Sequence, residues 1–114
     1  VDDSRAIREA LMSMLAREGW IVDTAEDGVR AWGLAQELHY DLIVTDLEMP
    51  RLGGLELIGK LRADRRTAQT PIVIVSSRVS PEHRRRAREL GVRGLIAKPV
   101  TRRKLLEVLY ADGR

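Results

Sequence analysis

Short apolar runs alternate with amphipathic stretches along this chain of 114 residues. The runs at 42–45, 71–76 and 94–97 are typical of strands buried on both faces of a parallel sheet. A shorter run at 20–22 predicts one more strand. Apolar residues three or four positions apart predict five helices: at 4–18, after the turn at Asp27-Gly28, around 55–61, from Pro81 to before Gly91, and at 101–109.

This alternation predicts an α/β fold, a doubly wound parallel sheet with helices on both faces. The second helix is predicted to face inward through Val29, Trp32, Ala35 and Leu38. We expect five βα units whose first strand is missing or truncated, because an apolar strand should lead into the acidic pair Asp2-Asp3. The length predicts a single domain spanning residues 1–114.

Composition narrows the class of protein. Hydrophobic residues make up 44% of the chain and charged residues 32%, which favours a globular domain over a disordered one. The absence of cysteine excludes disulfides and thiolate chemistry. No apolar stretch approaches the roughly 20 residues that span a bilayer, and no signal peptide is visible, so we expect no membrane association and a cytoplasmic location.

The net charge of +3 comes from local excesses of basic residues. The basic residues cluster in two segments, Arg84, Arg85, Arg86 and Arg88 in one and Arg102, Arg103 and Lys104 in the other. Such segments can attract nucleic acid or an acidic protein surface, but they are more often a solvated helix face. No aromatic residues interleave with them, so we expect no nucleic-acid binding by this domain alone.

Charged side chains follow the predicted strands where those strands end. Asp46 follows the strand at 42–45, Lys98 follows the strand at 94–97, and Asp2 and Asp3 precede the first helix. Right-handed crossovers bring the carboxyl ends of parallel strands to one edge of the sheet, where such folds keep their sites. Three carboxylates gathered there repel one another, and Mg²⁺ is the cation whose oxygen preference fits them.

Two structural alternatives apply to these acids. Asp2 or Asp3 could serve as the N-cap of the first helix, a role for which one acid suffices. Asp46 could end its strand as a turn residue near Pro50. Neither alternative explains why Lys98 and the acidic pair stand at matching strand ends.

Four motifs in order resemble the receiver domain of two-component response regulators. They are Asp2-Asp3-Ser4, Asp46-Leu47-Glu48-Met49-Pro50, Val75-Ser76-Ser77 and Lys98-Pro99. Residues 46–54, 76–78 and 89–92 most resemble receivers at the C-terminus of chemotaxis-type hybrid histidine kinases. The resemblance implies a flavodoxin-like fold.

The resemblance also implies roles for individual residues. Asp46 would be the nucleophile that takes a phosphoryl group from a phosphohistidine, with Mg²⁺ as cofactor. Asp3 would bind the metal directly, Asp2 mainly through water, Asp46 through a carboxylate oxygen and Glu48 through its backbone carbonyl. Ser76 would contact the phosphoryl group and move toward it as a switch, and Lys98 would pair with that group. The Lys98-Pro99 bond resembles one that is cis in the family.

Leu95 departs from the family pattern. This switch position, three residues before Lys98, is usually tyrosine or phenylalanine, whose ring changes rotamer when the Ser76 position moves. Leucine has neither ring nor hydroxyl, so we expect phosphorylation to be possible but its readout to be weaker or differently routed.

Three functions from different classes compete. The first is a phosphoacceptor module that catalyses only its own phosphorylation and dephosphorylation. The second is a pseudo-receiver that docks on a kinase, which Leu95 and the missing first strand favour. The third is a metal-dependent phosphatase with Glu48 as general acid, although the chain is too short for a cap.

Expected partners are a histidine kinase phosphotransfer or catalytic domain, a downstream protein on the face between the fourth and fifth helices, and a second copy of the chain.

Overall fold

The computed structural model describes residues 1–110. Within these residues the chain forms five helices and three strands. In chain order they are α1 (Arg5–Arg17), α2 (Gly28–Glu37), β1 (Ile43–Thr45), α3 (Gly54–Ala63), β2 (Ile72–Ser76), α4 (Pro81–Glu89), β3 (Gly94–Ala97) and α5 (Arg102–Leu109). No helix in this part of the chain is long and apolar enough to cross a membrane.

The three strands form one parallel sheet in the order β1-β2-β3. Ile43 lies opposite Ile72, and Val73 lies opposite Gly94. The central strand β2 is buried along its whole length, as its continuous apolar run predicts. Because all strands run the same way, the residues that follow them meet at one edge of the sheet, which we call the carboxyl edge.

Side chains of β2 alternate between two cores, one on each face of the sheet. Ile72 and Ile74 pack with buried residues of α2, α3 and α4. Val73 and Val75 pack with buried residues of α1 and α5. Helices therefore cover both faces, and the predicted doubly wound, flavodoxin-like fold is confirmed.

Side-chain caps define where four helices begin. The oxygens of Ser4, Asp27, Ser80 and Thr101 accept hydrogen bonds from backbone N–H groups three residues ahead. At the other end of α1 and α4, Gly19 and Gly91 have φ of +94° and +66°, a left-handed conformation that glycine adopts without a steric penalty.

The predicted strand at 20–22 is wrong. In the described part of the chain, Trp20, Ile21 and Val22 have no regular secondary structure. A strand needs a neighbouring strand to which its backbone is hydrogen-bonded. The Asp2 N–H donates to the carbonyl of Ala25, three residues beyond this segment, at 3.1 Å. Val1 and Asp2 lie between Ala25 and β1, since the Val1 nitrogen donates to Val44 at 2.5 Å and the Asp46 N–H donates to Val1 at 2.9 Å.

The predicted inward face of α2 is also partly wrong. Val29 and Leu38 are half exposed, whereas Ala31 and Ala35 are buried. Trp32 packs partly against the core and lies under the Lys60 ammonium, 5.5 Å from the ring centre. The helix therefore sits on the sheet through its alanines, whose small side chains allow close approach.

Candidate functional site

The carboxyl edge gathers residues from four separate stretches of sequence. Asp46 follows β1, Ser76 is the last residue of β2, Lys98 follows β3, and the pair Asp2-Asp3 stands just before α1. This is the convergence that the parallel topology predicts. The Lys98 N–H donates to the Ser76 carbonyl at 2.9 Å, which ties the ends of β2 and β3 together at the site.

Three carboxylates converge at this edge. Asp2, Asp3 and Asp46 each offer one oxygen, and these oxygens all lie within 4.8 Å of one another. Asp2 and Asp46 are buried, with 1% and 6% of their surface exposed, whereas Asp3 is exposed. Asp3 forms no hydrogen bond or ion pair with residues 1–110, so its carboxylate is free to face a cation.

Two backbone contacts and one side-chain contact fix the position of Asp2. Its N–H donates to Ala25, and its carbonyl accepts from the Arg8 guanidinium at 2.7 Å. Its Oδ1 accepts from the Ser4 N–H at 2.8 Å. The cap of α1, however, is Ser4, whose hydroxyl accepts from Ile7. Asp2 and Asp3 are thus not the N-cap that the structural alternative proposed.

Lys98 supplies one positive charge to the cluster. Its Nζ lies 2.9 Å from Asp2 Oδ2 and 3.2 Å from Asp46 Oδ2. Burial by itself lowers the pKa of Lys98, but the hydrogen bonds and charges of Asp2 and Asp46 outweigh burial and raise that pKa above its ordinary value. The ammonium therefore stays charged, and one cation faces three carboxylates.

Asp46 is held in a defined orientation. Its Oδ1 accepts from the Leu47 N–H at 2.7 Å while its Oδ2 accepts from Lys98. A side chain on Gly54 would overlap the Asp46 carbonyl oxygen, so glycine at this position allows α3 to begin directly against the strand end. Sequence predicted the position of Asp46, but the structure adds the two contacts that orient it.

The side chains of Ser76 and Glu48 contact Arg78 rather than the three carboxylates. The Ser76 hydroxyl donates to the Arg78 carbonyl at 3.1 Å and accepts from the Arg78 N–H at 3.2 Å. The Glu48 carboxylate lies 3.6 Å from the Arg78 guanidinium. The Glu48 backbone carbonyl accepts no hydrogen bond within residues 1–110 and is therefore available to a ligand. The part played by Arg78 was missed by sequence reasoning.

The loop between β3 and α5 presents Lys98. The Lys98-Pro99 bond is cis, as the resemblance implied. The Lys104 ammonium lies 3.4 Å from the Ala97 carbonyl and 3.2 Å from the Pro99 carbonyl. Leu95 in β3 is partly buried against the core that α2, α3 and α4 cover, so this switch position faces inward.

The donor set at the carboxyl edge fits a hard divalent cation. Three carboxylate oxygens are ligands of the kind that Mg²⁺ takes, and Mg²⁺ keeps water in the remaining positions. A cation there would also offset the excess of negative charge that Lys98 leaves. The residues present therefore fit Mg²⁺.

Comparison with known proteins agrees with this arrangement. A family model described as the response regulator receiver domain matches residues 1–110. The gliding motility regulatory protein of Myxococcus xanthus is 37% identical over 98 residues, which cover 86% of this chain and 13% of that protein. Response regulator MprA of Mycobacterium sp. (strain KMS) is 37% identical over 111 residues, covering 97% of this chain and 47% of that protein. The chain thus spans less than half of these relatives.

Solved structures resemble this one over almost the whole chain. The chemotaxis protein CheY4 of Vibrio cholerae has 33% identity and a TM-score of 0.89, with 96% of this chain and 92% of that chain covered. The receiver domain of a sensor histidine kinase from Pseudomonas aeruginosa has 26% identity and a TM-score of 0.86, with 97% and 91% covered. The Pseudomonas protein is described with a magnesium ion coordinated in its active-site cleft.

Proposed function

The chain belongs to the response regulator receiver domain family of two-component systems, and from this premise we propose that Asp46 is its phosphoacceptor. Asp46 would take a phosphoryl group from the phosphohistidine of a histidine kinase and relay the signal by a conformational change. The observation that best supports this role is the contact between the Lys98 ammonium and Asp46 Oδ2 beside two further carboxylates.

The transfer replaces a bond to nitrogen by a bond to oxygen. A carboxylate oxygen of Asp46 attacks phosphorus in line with the histidine nitrogen, the P–N bond breaks, and its electron pair returns to that nitrogen, which is then protonated. The incoming group is already anionic, so the attack needs fixed positive charge around it. Lys98 would exchange its bond to Asp46 for one to a phosphoryl oxygen, while its bond to Asp2 keeps the ammonium at the site.

We assign the metal site to four residues. Asp3 and Asp46 would bind Mg²⁺ through carboxylates, Glu48 through its backbone carbonyl, and Asp2 mainly through water. When bound, Mg²⁺ offsets the charge on the phosphoryl oxygens and helps to hold the reactants in line. Asp3 is well suited to direct binding because it is exposed and has no partner among residues 1–110.

Ser76 is the proposed switch, together with Leu95. The hydroxyl of Ser76 is satisfied by the backbone of Arg78, so contact with a phosphoryl oxygen requires that it give up these bonds. Movement of Ser76 would then alter the loop that leads into α4. Leu95 lacks an aromatic ring, so we propose that the signal reaches the surface through this loop more than through the Leu95 rotamer.

The proposed partners follow from charge and position. A histidine kinase phosphotransfer or catalytic domain would donate the phosphoryl group. A downstream protein with an acidic surface would bind the face between α4 and α5. In α4, Arg84 and Arg88 are exposed and have no ion-pair partner among the described residues. A homodimer through the same face is a second arrangement.

Several broader proposals complete this description. Residues 1–114 would act as one receiver domain in the cytoplasm, without binding nucleic acid or membranes by itself. Its catalysis would be confined to its own phosphorylation and dephosphorylation, so it would turn over no metabolite. Asp2, Asp3, Asp46, Ser76 and Lys98 are all present, which supports phosphoryl chemistry over the pseudo-receiver alternative.

Incubation with acetyl phosphate and Mg²⁺ tests the proposal. We expect intact-protein mass spectrometry to show one added phosphoryl group that hydroxylamine removes, and no addition when EDTA is present or in Asp46→Asn. Folding of the variant is checked by circular dichroism. An unmodified wild-type protein would support the pseudo-receiver, and rapid multiple turnover of phosphomonoesters would support the phosphatase.

A further inference from the structure

Arg51 has an unusual backbone conformation in the loop that follows Asp46. Its φ is +69°, and it is the one residue other than glycine with a positive φ among residues 1–110. A long side chain is disfavoured there, and such conformations persist where the surroundings impose them, often next to functional sites. Glycine or asparagine would fit this backbone conformation better, which indicates that the arginine side chain makes a contact of its own.

The side chain of Arg51 forms an ion pair with Asp27 at the start of α2. Asp27 is 2% exposed, and both of its oxygens are used. Oδ1 accepts from the Arg30 N–H at 2.9 Å and caps α2, while Oδ2 accepts from the Arg51 guanidinium. These contacts lower the pKa of Asp27, the bond from the Arg30 N–H contributing most and the Arg51 side chain next.

A second contact joins the same two segments. Gly28, directly after Asp27, lies so close to Leu52 that a side chain at position 28 would overlap the Leu52 carbonyl oxygen. The loop is also closed on itself, because the Leu52 N–H donates to Pro50 at 2.8 Å. At its far end the Gly54 N–H donates to the Leu47 carbonyl at 2.8 Å.

These contacts define a loop, residues 47–53, that is fixed at its middle to α2 and at both ends to the strand end. Glu48 lies inside this loop, three residues before Arg51. Its free backbone carbonyl belongs to the proposed metal site, whereas its side chain makes an exposed contact with Arg78. Leu47 is buried in the core and Leu52 packs against it, so apolar contacts fix both sides of the loop. The ion pair of Arg51 with Asp27 is the charged contact that fixes its middle.

We propose that Asp27 and Arg51 are positioning residues that hold the loop 47–53 so that the Glu48 carbonyl faces the acidic cluster before the cation arrives. This rests on the proposed metal site at the carboxyl edge. Neither residue contacts the cation. When the loop is already ordered, Mg²⁺ binding does not carry the entropic cost of ordering it. The pair therefore raises Mg²⁺ affinity rather than the rate of the chemical step.

Two substitutions separate this role from folding. Asp27→Asn keeps an oxygen that can cap α2, since asparagine is a good N-cap, but it removes the charge that holds Arg51. Arg51→Gly removes the side chain while relieving the left-handed backbone. Asp64→Asn is the matched control, because Asp64 also forms an ion pair with an arginine, Arg66, but after α3 and away from the carboxyl edge.

Titration calorimetry with Mg²⁺ on the whole chain gives the direct readout. We expect Asp27→Asn and Arg51→Gly to weaken binding roughly tenfold, the low end for residues that support a metal ligand, and Asp64→Asn to leave it unchanged. Arg51→Lys, which keeps the charge, should recover part of the affinity. In phosphorylation by acetyl phosphate, both positioning variants should need more Mg²⁺ for half-maximal rate and reach the wild-type rate at saturation.

The outcomes distinguish this inference from the proposed function. Wild-type affinity in Asp27→Asn and Arg51→Gly, with binding lost in Asp3→Asn, would overturn the positioning role and leave the metal site intact. A rate that stays low at saturating Mg²⁺ would also overturn it, because the pair would then act on the chemical step. Absence of Mg²⁺ binding to the wild-type protein would overturn both.

Discussion

Charged groups are gathered at both ends of the sheet, but the two ends treat them differently. At the carboxyl edge, one ammonium from Lys98 faces the carboxylates of Asp2, Asp3 and Asp46. At the opposite end, where β2 and β3 begin, the guanidinium of Arg62 is surrounded by neutral acceptors. It donates to five backbone carbonyls, those of Leu90, Thr67, Ala68, Thr70 and Gly91.

The two ends differ in whether other groups of the chain satisfy the charged side chains. Arg62 is a planar group whose three nitrogens all donate, to carbonyls just after α4 and in the loop after α3, so its contacts serve the fold. Burial lowers the pKa of Arg62 from its ordinary value, and a guanidinium remains charged in proteins. At the carboxyl edge three carboxylates face the single ammonium of Lys98, and the proposed Mg²⁺ would offset the excess of negative charge.

Substitution of Lys98 should produce the largest effect. In Lys98→Met the site loses its one ammonium, and we expect phosphorylation of Asp46 to slow by about 10²–10³, the cost of removing one group that stabilises a developing charge. The rate of phosphoryl incorporation from acetyl phosphate at saturating Mg²⁺ measures it. A rate within a factor of three of wild type would mean that the cation alone supplies the positive charge.

Substitution of Arg62 should change stability and leave the chemistry intact. Arg62→Met leaves several carbonyls without a donor, so we expect the free energy of unfolding to fall by about 2–4 kcal/mol. Urea denaturation measures the loss, and Mg²⁺ affinity measured under native conditions should match wild type. Arg62→Lys should recover only part of the stability, because a lysine cannot reach acceptors on both sides. A drop in Mg²⁺ affinity would show that the two ends are coupled.

Acid should weaken the contacts of Asp64 with Arg66 and Gln36 in a defined pH window. The Asp64 carboxylate accepts from the Arg66 N–H, the Arg66 guanidinium and Gln36, which lower its pKa to about 2. Because its pKa is lower in the folded than in the unfolded chain, Asp64 stabilises the fold above about pH 4, and this is lost as the pH falls toward 2. The stability difference between wild type and Asp64→Asn should therefore shrink over that window. A constant difference would mean that the ion pair contributes nothing.

The smallest expected effect concerns the readout at Leu95. With beryllofluoride as a phosphoryl mimic, we expect small NMR chemical-shift changes on α4 and α5 and larger ones in the loop that follows Ser76. Leu95→Tyr should enlarge the changes on α4 and α5, because the ring supplies the moving group that leucine lacks. Large changes on both helices in the wild-type protein would contradict this assignment of Leu95.

The sequence by itself determined the five helices, the three strands of the sheet and the edge at which the candidate site lies. Continuous apolar runs specify the buried strands around Val44, Ile74 and Leu95, because a strand covered by helices on both faces is apolar along most of its length. Parallel topology then brings Asp46 and Lys98 together whatever the side chains do. The predicted proximity of the three acids and the lysine follows from these rules alone. The family resemblance supplied the cis peptide bond.

Only the tertiary structure decided which residues form ion pairs and hydrogen bonds with one another. The run at 20–22 has the residues of a strand, but pairing depends on a neighbour that the pattern does not describe. The pairs of Asp27 with Arg51 and of Arg62 with the carbonyl of Leu90 join residues 24 and 28 positions apart. No periodicity reports such contacts, because they depend on how α2, α3 and α4 pack together. The same is true of Ser76, whose hydroxyl is satisfied by the local turn at Arg78.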